Sequence, residues 1–87
     1  MEAPEWILYV KAGCPWCVEA VEYLDKHGYQ YQSIDVRRDA AAMQEMKALS
    51  GQTLTPTLSI GDALVLPDFD TGQLKKFLAK HNLLKAA

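Results

Sequence analysis

Short runs of consecutive apolar residues alternate along this chain with stretches whose apolar positions return every three or four residues. Trp6-Ile7-Leu8-Tyr9-Val10 is an unbroken apolar run, which predicts a strand buried on both faces. From Pro15 to Gly28 the period becomes helical. Cys17, Val21 and Leu24, helped by Ala20, form an inward stripe, while Glu19, Glu22, Asp25 and Lys26 face water. Pro15 suits a first helical position, where its missing N–H costs nothing, and Gly28 predicts a left-handed cap. Tyr31 to Val36 reads as a second strand: Ile34 and Val36 alternate with Ser33 and Asp35, which points to one exposed face and an edge position. Asp39 then caps a helix of about eleven residues that buries Met43, Met46 and Leu49 and stops at Gly51.

The second half changes character. Thr57-Leu58-Ser59-Ile60, a turn at Gly61-Asp62, and Ala63-Leu64-Val65-Leu66 predict a tight β-hairpin. Asp70 and Gln73 are spaced as a capping box for a third helix with Leu74, Phe77 and Leu78 inward, and Leu83 and Leu84 are expected to finish it against the core. The order is β-α-β-α-β-β-α. A helical crossover makes the first two strands parallel, and the hairpin adds antiparallel ones. The expected fold is a small α/β domain, a four-stranded mixed sheet flanked by helices, with residues 1–87 as one unit.

Composition narrows the function. The chain of 87 residues is 49% apolar, enough to bury roughly 60–65% of its unfolded surface in one core. Net charge is -2 and no basic cluster exceeds Arg37-Arg38, so electrostatic binding to nucleic acid or an anionic membrane has no support. No apolar run approaches the roughly 20 residues of a membrane span, and the acidic start Met1-Glu2-Ala3-Pro4-Glu5 is unlike a signal peptide. A cytoplasmic protein is expected.

The chemistry lies in the only two cysteines, Cys14 and Cys17. A C-x-x-C bridge closes too small a loop to constrain the unfolded chain. The pair falls where a strand hands over to the first turn of a helix. There, unpaired N–H groups and the helix dipole favour a thiolate. Cys14 is therefore the candidate nucleophile, with Lys11 expected to add positive charge nearby. Cys17, one turn on, is placed to resolve a mixed disulfide formed on Cys14. Zinc needs four ligands, and His27 and His81 do not form a ligand-spaced pair. No metal site is expected. Leu54-Thr55-Pro56, before the third strand, reads either as a plain strand-start proline or as a cis Thr55–Pro56 bond beside the cysteines.

Tyr9-Val10-Lys11-Ala12-Gly13-Cys14-Pro15-Trp16-Cys17 resembles the Y-x-K-x-x-C-P-Y-C signature of dithiol glutaredoxins, with Trp16 in place of tyrosine. Ser50 to Pro56 resembles the stretch that ends in that family's T-V-P. The resemblance covers almost the whole chain and implies a thioredoxin-like fold and thiol–disulfide oxidoreductase activity. It further implies that no cofactor is tightly bound and that the protein is a monomer. Glutathione would be the reductant or co-substrate, and a disulfide-containing or glutathionylated protein the substrate. By the same resemblance Lys11 and Gln52 hold the glycine carboxylate of glutathione and Trp16 packs beside the tripeptide. The backbone of Thr55 before cis-Pro56 would pair with its cysteinyl part, and Asp70 and Thr71 would take its γ-glutamyl end.

One segment departs from the pattern. Where glutaredoxins carry G-G-C-D-D, this chain has Val65-Leu66-Pro67-Asp68-Phe69-Asp70-Thr71, which removes a donor at Pro67 and adds bulk at Phe69. Leu54 likewise replaces the usual threonine. Two other readings accompany the first: an electron donor recharged by thioredoxin reductase, and a protein holding a [2Fe–2S] centre through Cys14 of two chains and two glutathiones.

Overall fold

The computed structural model describes residues 4–85. The elements follow the expected order: β1 (Trp6–Val10), α1 (Pro15–Lys26), β2 (Gln32–Asp35), α2 (Ala40–Ser50), β3 (Thr57–Ile60), β4 (Leu64–Leu66) and α3 (Thr71–Lys80). The strands form one sheet in the order β2-β1-β3-β4. β1 runs parallel to β2, with Ile7 opposite Gln32 and Val10 opposite Asp35. It runs antiparallel to β3, with Trp6 opposite Ile60 and Tyr9 opposite Thr57. The topology is thioredoxin-like.

β1 is central, and its alternation divides the core in two. Leu8 faces one side and packs with Ala20 and Leu24 of α1, Leu58 and Ile60 of β3, and Leu74 and Leu78 of α3. Tyr9 faces the other and packs with Val36 and with Ala42 and Met46 of α2. Each fully buried leucine contributes about 2 kcal/mol through area removed from water. These contacts fix β1 between two helical layers, and so fix where the chain leaving its C-terminal end, Lys11 to Cys14, must emerge.

Helix ends account for the connections. Gly28 has φ 76°, and the Tyr29 N–H reaches back to the Leu24 carbonyl at 3.0 Å, so α1 closes in the left-handed cap expected of glycine. α3 uses the same closure with Asn82 at φ 58°, which lets the Leu83 N–H bond the Leu78 carbonyl at 2.7 Å.

Several boundaries differ from the sequence expectation. β2 is shorter at both ends. The Val36 N–H still donates to Val10 at 2.9 Å, but the Asp35 carboxylate accepts from the Arg37 N–H at 2.8 Å and turns the chain out of the sheet. In α2 Ala42 and Met46 are the buried residues, with Met43 and Leu49 only partly covered. The hairpin loop includes Ala63, whose N–H bonds Ile60, so β4 begins at Leu64. Leu83 packs against the core. Leu84, beyond the cap of α3, is exposed rather than buried.

Candidate active site

The loop leaving β1 reaches the start of α1 at Cys14, the N-cap residue of that helix, with extended backbone (φ -89°, ψ 110°) and Pro15 at the first helical position. Its Sγ accepts the Cys17 N–H at 3.2 Å. This is the bond a serine or aspartate makes at a helix start, with sulfur in place of oxygen. Sulfur caps well only as an anion, so the helix start favours the thiolate.

Burial alone pushes the Cys14 thiol up. Hydrogen bonds from the Cys17 thiol and N–H, the Thr55 hydroxyl and the Trp16 N–H outweigh it and leave Cys14 below the ordinary thiol value. Cys17 shifts the other way, raised by burial and by its hydrogen bond to Cys14. Both cysteines are free thiols, and Cys14 is the more accessible of the two. Two chemically identical side chains one turn apart are thus made unequal, the Cys14 thiol shifted down and the Cys17 thiol shifted up.

The segment before β3 forms the opposite wall. The Thr55–Pro56 bond is cis, as the second of the two sequence readings has it. Thr55 presents two groups to Cys14 Sγ. Its carbonyl lies 3.8 Å away, where a protonated thiol can donate to it, and its hydroxyl lies 3.8 Å away, where it can donate to the thiolate. Sequence reasoning assigned Thr55 a role through its backbone and missed the hydroxyl.

Lys11 and Gln52 both hydrogen-bond within the chain. Lys11 Nζ donates to the Thr53 carbonyl at 2.9 Å, in an exposed position. The Gln52 side-chain amide donates to Ser50 Oγ at 2.8 Å and to Thr57 Oγ1 at 3.1 Å, and its oxygen accepts the Leu54 N–H at 2.6 Å. Gln52 fastens the loop that carries Thr55. Thr57 was not singled out in the sequence, yet its hydroxyl also donates to the Leu54 carbonyl at 2.8 Å.

On the far side of Cys14, Trp16 is 56% exposed. With Asp68, Phe69, Asp70 and Gln73 it lines a pocket of about 180 Å³. Phe69 does not obstruct this side as its bulk suggested. Asp68 adopts φ 43° and the Phe69 N–H bonds the Pro56 carbonyl at 3.3 Å; the ring turns into the core and is 3% exposed. Asp70 caps α3, accepting the Gln73 N–H at 2.8 Å, while Gln73 Oε1 accepts the Asp70 N–H at 2.9 Å. Thr71 follows as the first residue of α3. Among the described residues no cluster of three or more His, Cys, Asp or Glu side chains is arranged to hold a metal ion. No helix among them is long and apolar enough to cross a membrane.

A thioredoxin-like fold with an asymmetric dithiol at a helix start, facing a cis-proline loop, defines a class of thiol–disulfide oxidoreductases. The glutaredoxin family model matches residues 7–65, and the chain belongs to that family. It is 29% identical over 73 residues to a glutaredoxin-like 8.6 kDa protein of the rubredoxin operon of Clostridium pasteurianum, covering 84% of this chain and 96% of that one. It is 34% identical over 53 residues to glutaredoxin 3 of Escherichia coli K12, covering 61% of this chain and 64% of that one. Among solved structures it is similar to the thioredoxin-like protein BC3987, with a TM-score of 0.76 and 31% identity over 85% of this chain and all of the other. The protein is a thiol–disulfide oxidoreductase of the glutaredoxin type.

Proposed function

We propose that the protein reduces protein disulfides or glutathione mixed disulfides through Cys14 and Cys17 and is recharged by glutathione. The Cys14 thiolate attacks one sulfur of the substrate disulfide. The substrate S–S bond breaks, and its other sulfur leaves as a thiolate that takes a proton from water. Cys17, losing its proton, then attacks Cys14 Sγ, releasing the second substrate thiol and leaving a Cys14–Cys17 disulfide. Two glutathione thiols reduce that bond and become glutathione disulfide.

The observation that carries this reading is the Cys17 N–H bonded to Cys14 Sγ at 3.2 Å, which makes the first cysteine the helix cap. Glutathione would lie along Lys11, Thr55 and Pro56 with Trp16 over it. Its γ-glutamyl end would occupy the pocket lined by Trp16 and Asp70, with Thr71 beside it at the start of α3, and its glycine carboxylate would lie near Gln52. A buckwheat glutaredoxin of the same fold has been solved with glutathione bound (TM-score 0.67, 18% identity). A monomer in the cytoplasm, where dithiols are kept reduced, suits this cycle.

A second reading, an electron donor recharged by thioredoxin reductase, is favoured by one observation. The Gln52 amide and the Asp70 N–H are both engaged by partners within the chain, and glutathione would have to compete for them. NADPH oxidation in two coupled systems separates the two. The glutathione reading requires turnover with glutathione and glutathione reductase. Turnover only with thioredoxin reductase would overturn that reading while keeping the dithiol mechanism.

A further inference from the structure

A second concavity lies at the other end of the sheet, away from the dithiol. It has a volume of about 430 Å³ and lies between the start of β1, α2 and the β3–β4 turn. Three carboxylates from separate parts of the chain line it: Glu5 before β1, Glu45 on α2 and Asp62 in the turn. Among the described residues no lysine, arginine or histidine does. Ile7 and Leu49 provide apolar wall.

Tyr9 is the second, independent feature. Its side chain is 1% exposed and lines the same space. Among the described residues its hydroxyl has no hydrogen-bond partner, and the side chain borders the pocket together with the three acidic residues. Burial first, then the charges of Glu45, Asp62 and Glu5, hold the phenol above its ordinary value. All three carboxylates therefore act on one small volume. The Ser59 hydroxyl donates to Asp62 Oδ1 at 3.5 Å.

Three carboxylates and a phenol oxygen with no partner among the described residues, around a partly apolar hollow, form an acceptor-rich surface that a cation would complete. An ammonium is compact and strongly hydrated, and would have to shed that water. A guanidinium is flat and weakly hydrated, carries five N–H donors that several acceptors can share, and tolerates apolar walls along its faces and stem. We propose that this pocket binds a guanidinium group, carried by a small cation or by an arginine side chain of a partner protein.

The test is an amide-resonance titration of the reduced full chain with four probes. These are N-acetyl-arginine methylamide, its neutral isostere N-acetyl-citrulline methylamide, N-acetyl-lysine methylamide, and agmatine as the small-cation arm. The arginine probe is expected to shift Tyr9, Glu45 and Asp62 saturably and to bind about tenfold more tightly than the citrulline or lysine probes. Tighter binding by agmatine than by the arginine probe would assign a small cation, and the reverse order an arginine side chain. The double variant Glu45→Gln, Asp62→Asn is expected to lose the response, and Tyr9→Phe to weaken it, both with disulfide reduction unchanged. Equal shifts from the citrulline probe, equal affinity for the lysine probe, or no shift at these residues would each overturn the proposal.

Discussion

The starts of α1 and α3 are the same structure put to different use. At both, an extended N-cap residue accepts a hydrogen bond from the N–H three residues on: Cys14 from Cys17 at 3.2 Å, and Asp70 from Gln73 at 2.8 Å. The difference is in the third residue and in the chemistry of the cap atom. Gln73 returns a bond to the Asp70 N–H at 2.9 Å, closing the capping box and making α3 a fixed end. Cys17 returns no such bond. Instead it offers a second sulfur, and the cap atom of α1 is a thiol whose capping strength depends on its charge. A helix start thus stabilises the fold when the cap is a permanent acceptor, and creates a nucleophile when the cap ionises only in that setting.

Breaking the reactive cap has the largest expected effect. Cys14→Ser keeps a good helix cap and is expected to abolish reduction of every disulfide, whereas Cys17→Ser keeps reduction of glutathione mixed disulfides, which need no resolving thiol. NADPH-coupled turnover measures both, and equal loss in the two variants on that substrate would contradict the assigned roles.

The structural cap predicts the reverse outcome. Asp70→Ala is expected to destabilise the protein by about 1 kcal/mol, read from urea unfolding, and to leave turnover with a protein disulfide and thioredoxin reductase unchanged. A fall confined to the glutathione-coupled assay would support a role for Asp70 in holding the tripeptide. The same scale applies at α1: Cys14→Asp is expected to be more stable than Cys14→Ala by about 1 kcal/mol, and equal stability would show that this position caps nothing.

Thr55 sharpens the contrast more gently. Its hydroxyl lies 3.8 Å from Cys14 Sγ. Thr55→Val is expected to raise the Cys14 pKa, and Thr55→Ser to restore it, in the pH profile of alkylation. An unchanged profile in Thr55→Val would assign the lowering to the helix start alone.

The smallest effect is on stability against pH. Cys14 is lowered in the folded state from an ordinary value of 9.0, so between its lowered value and 9.0 the folded protein binds fewer protons than the unfolded chain. Stability of the reduced protein rises with pH across that window and is fully gained above it. Cys17 is raised, so its contribution is present below 9.0 and is lost as pH climbs through the raised value. Denaturant unfolding from neutral to alkaline pH should show Cys14→Ser removing the rising limb and Cys17→Ser the falling one.

Much of this was legible in the chain. Period and capping signals locate every element, and the helix start sets Cys14 apart from Cys17 in the sequence alone. The readable features were local ones: Pro15 after Cys14, Gly28 after Lys26, Gln73 three residues after Asp70. What escaped depended on distant partners. Gln52 reads as a free amide until the entry into β3 brings Thr57 beside it. Lys11 reads as an unpartnered side chain until the loop at Thr53 brings a carbonyl within reach of its Nζ. Phe69 reads as an obstacle because nothing local shows that a left-handed Asp68 turns the ring into the core. Leu84 fails for the opposite reason: its apolar character suggested burial, but Asn82 ends α3 with the chain turned so that only Leu83 returns to the core.

The central claim is that one helix start makes two like thiols unequal. Alkylation of the reduced protein with iodoacetamide across pH, with the modified residue located by mass spectrometry, tests it most directly. Cys14 is expected to be labelled first, with an apparent pKa below that of an ordinary thiol, while Cys17 stays unlabelled at neutral pH. Equal labelling of the two cysteines, or Cys17 reacting first, would contradict it.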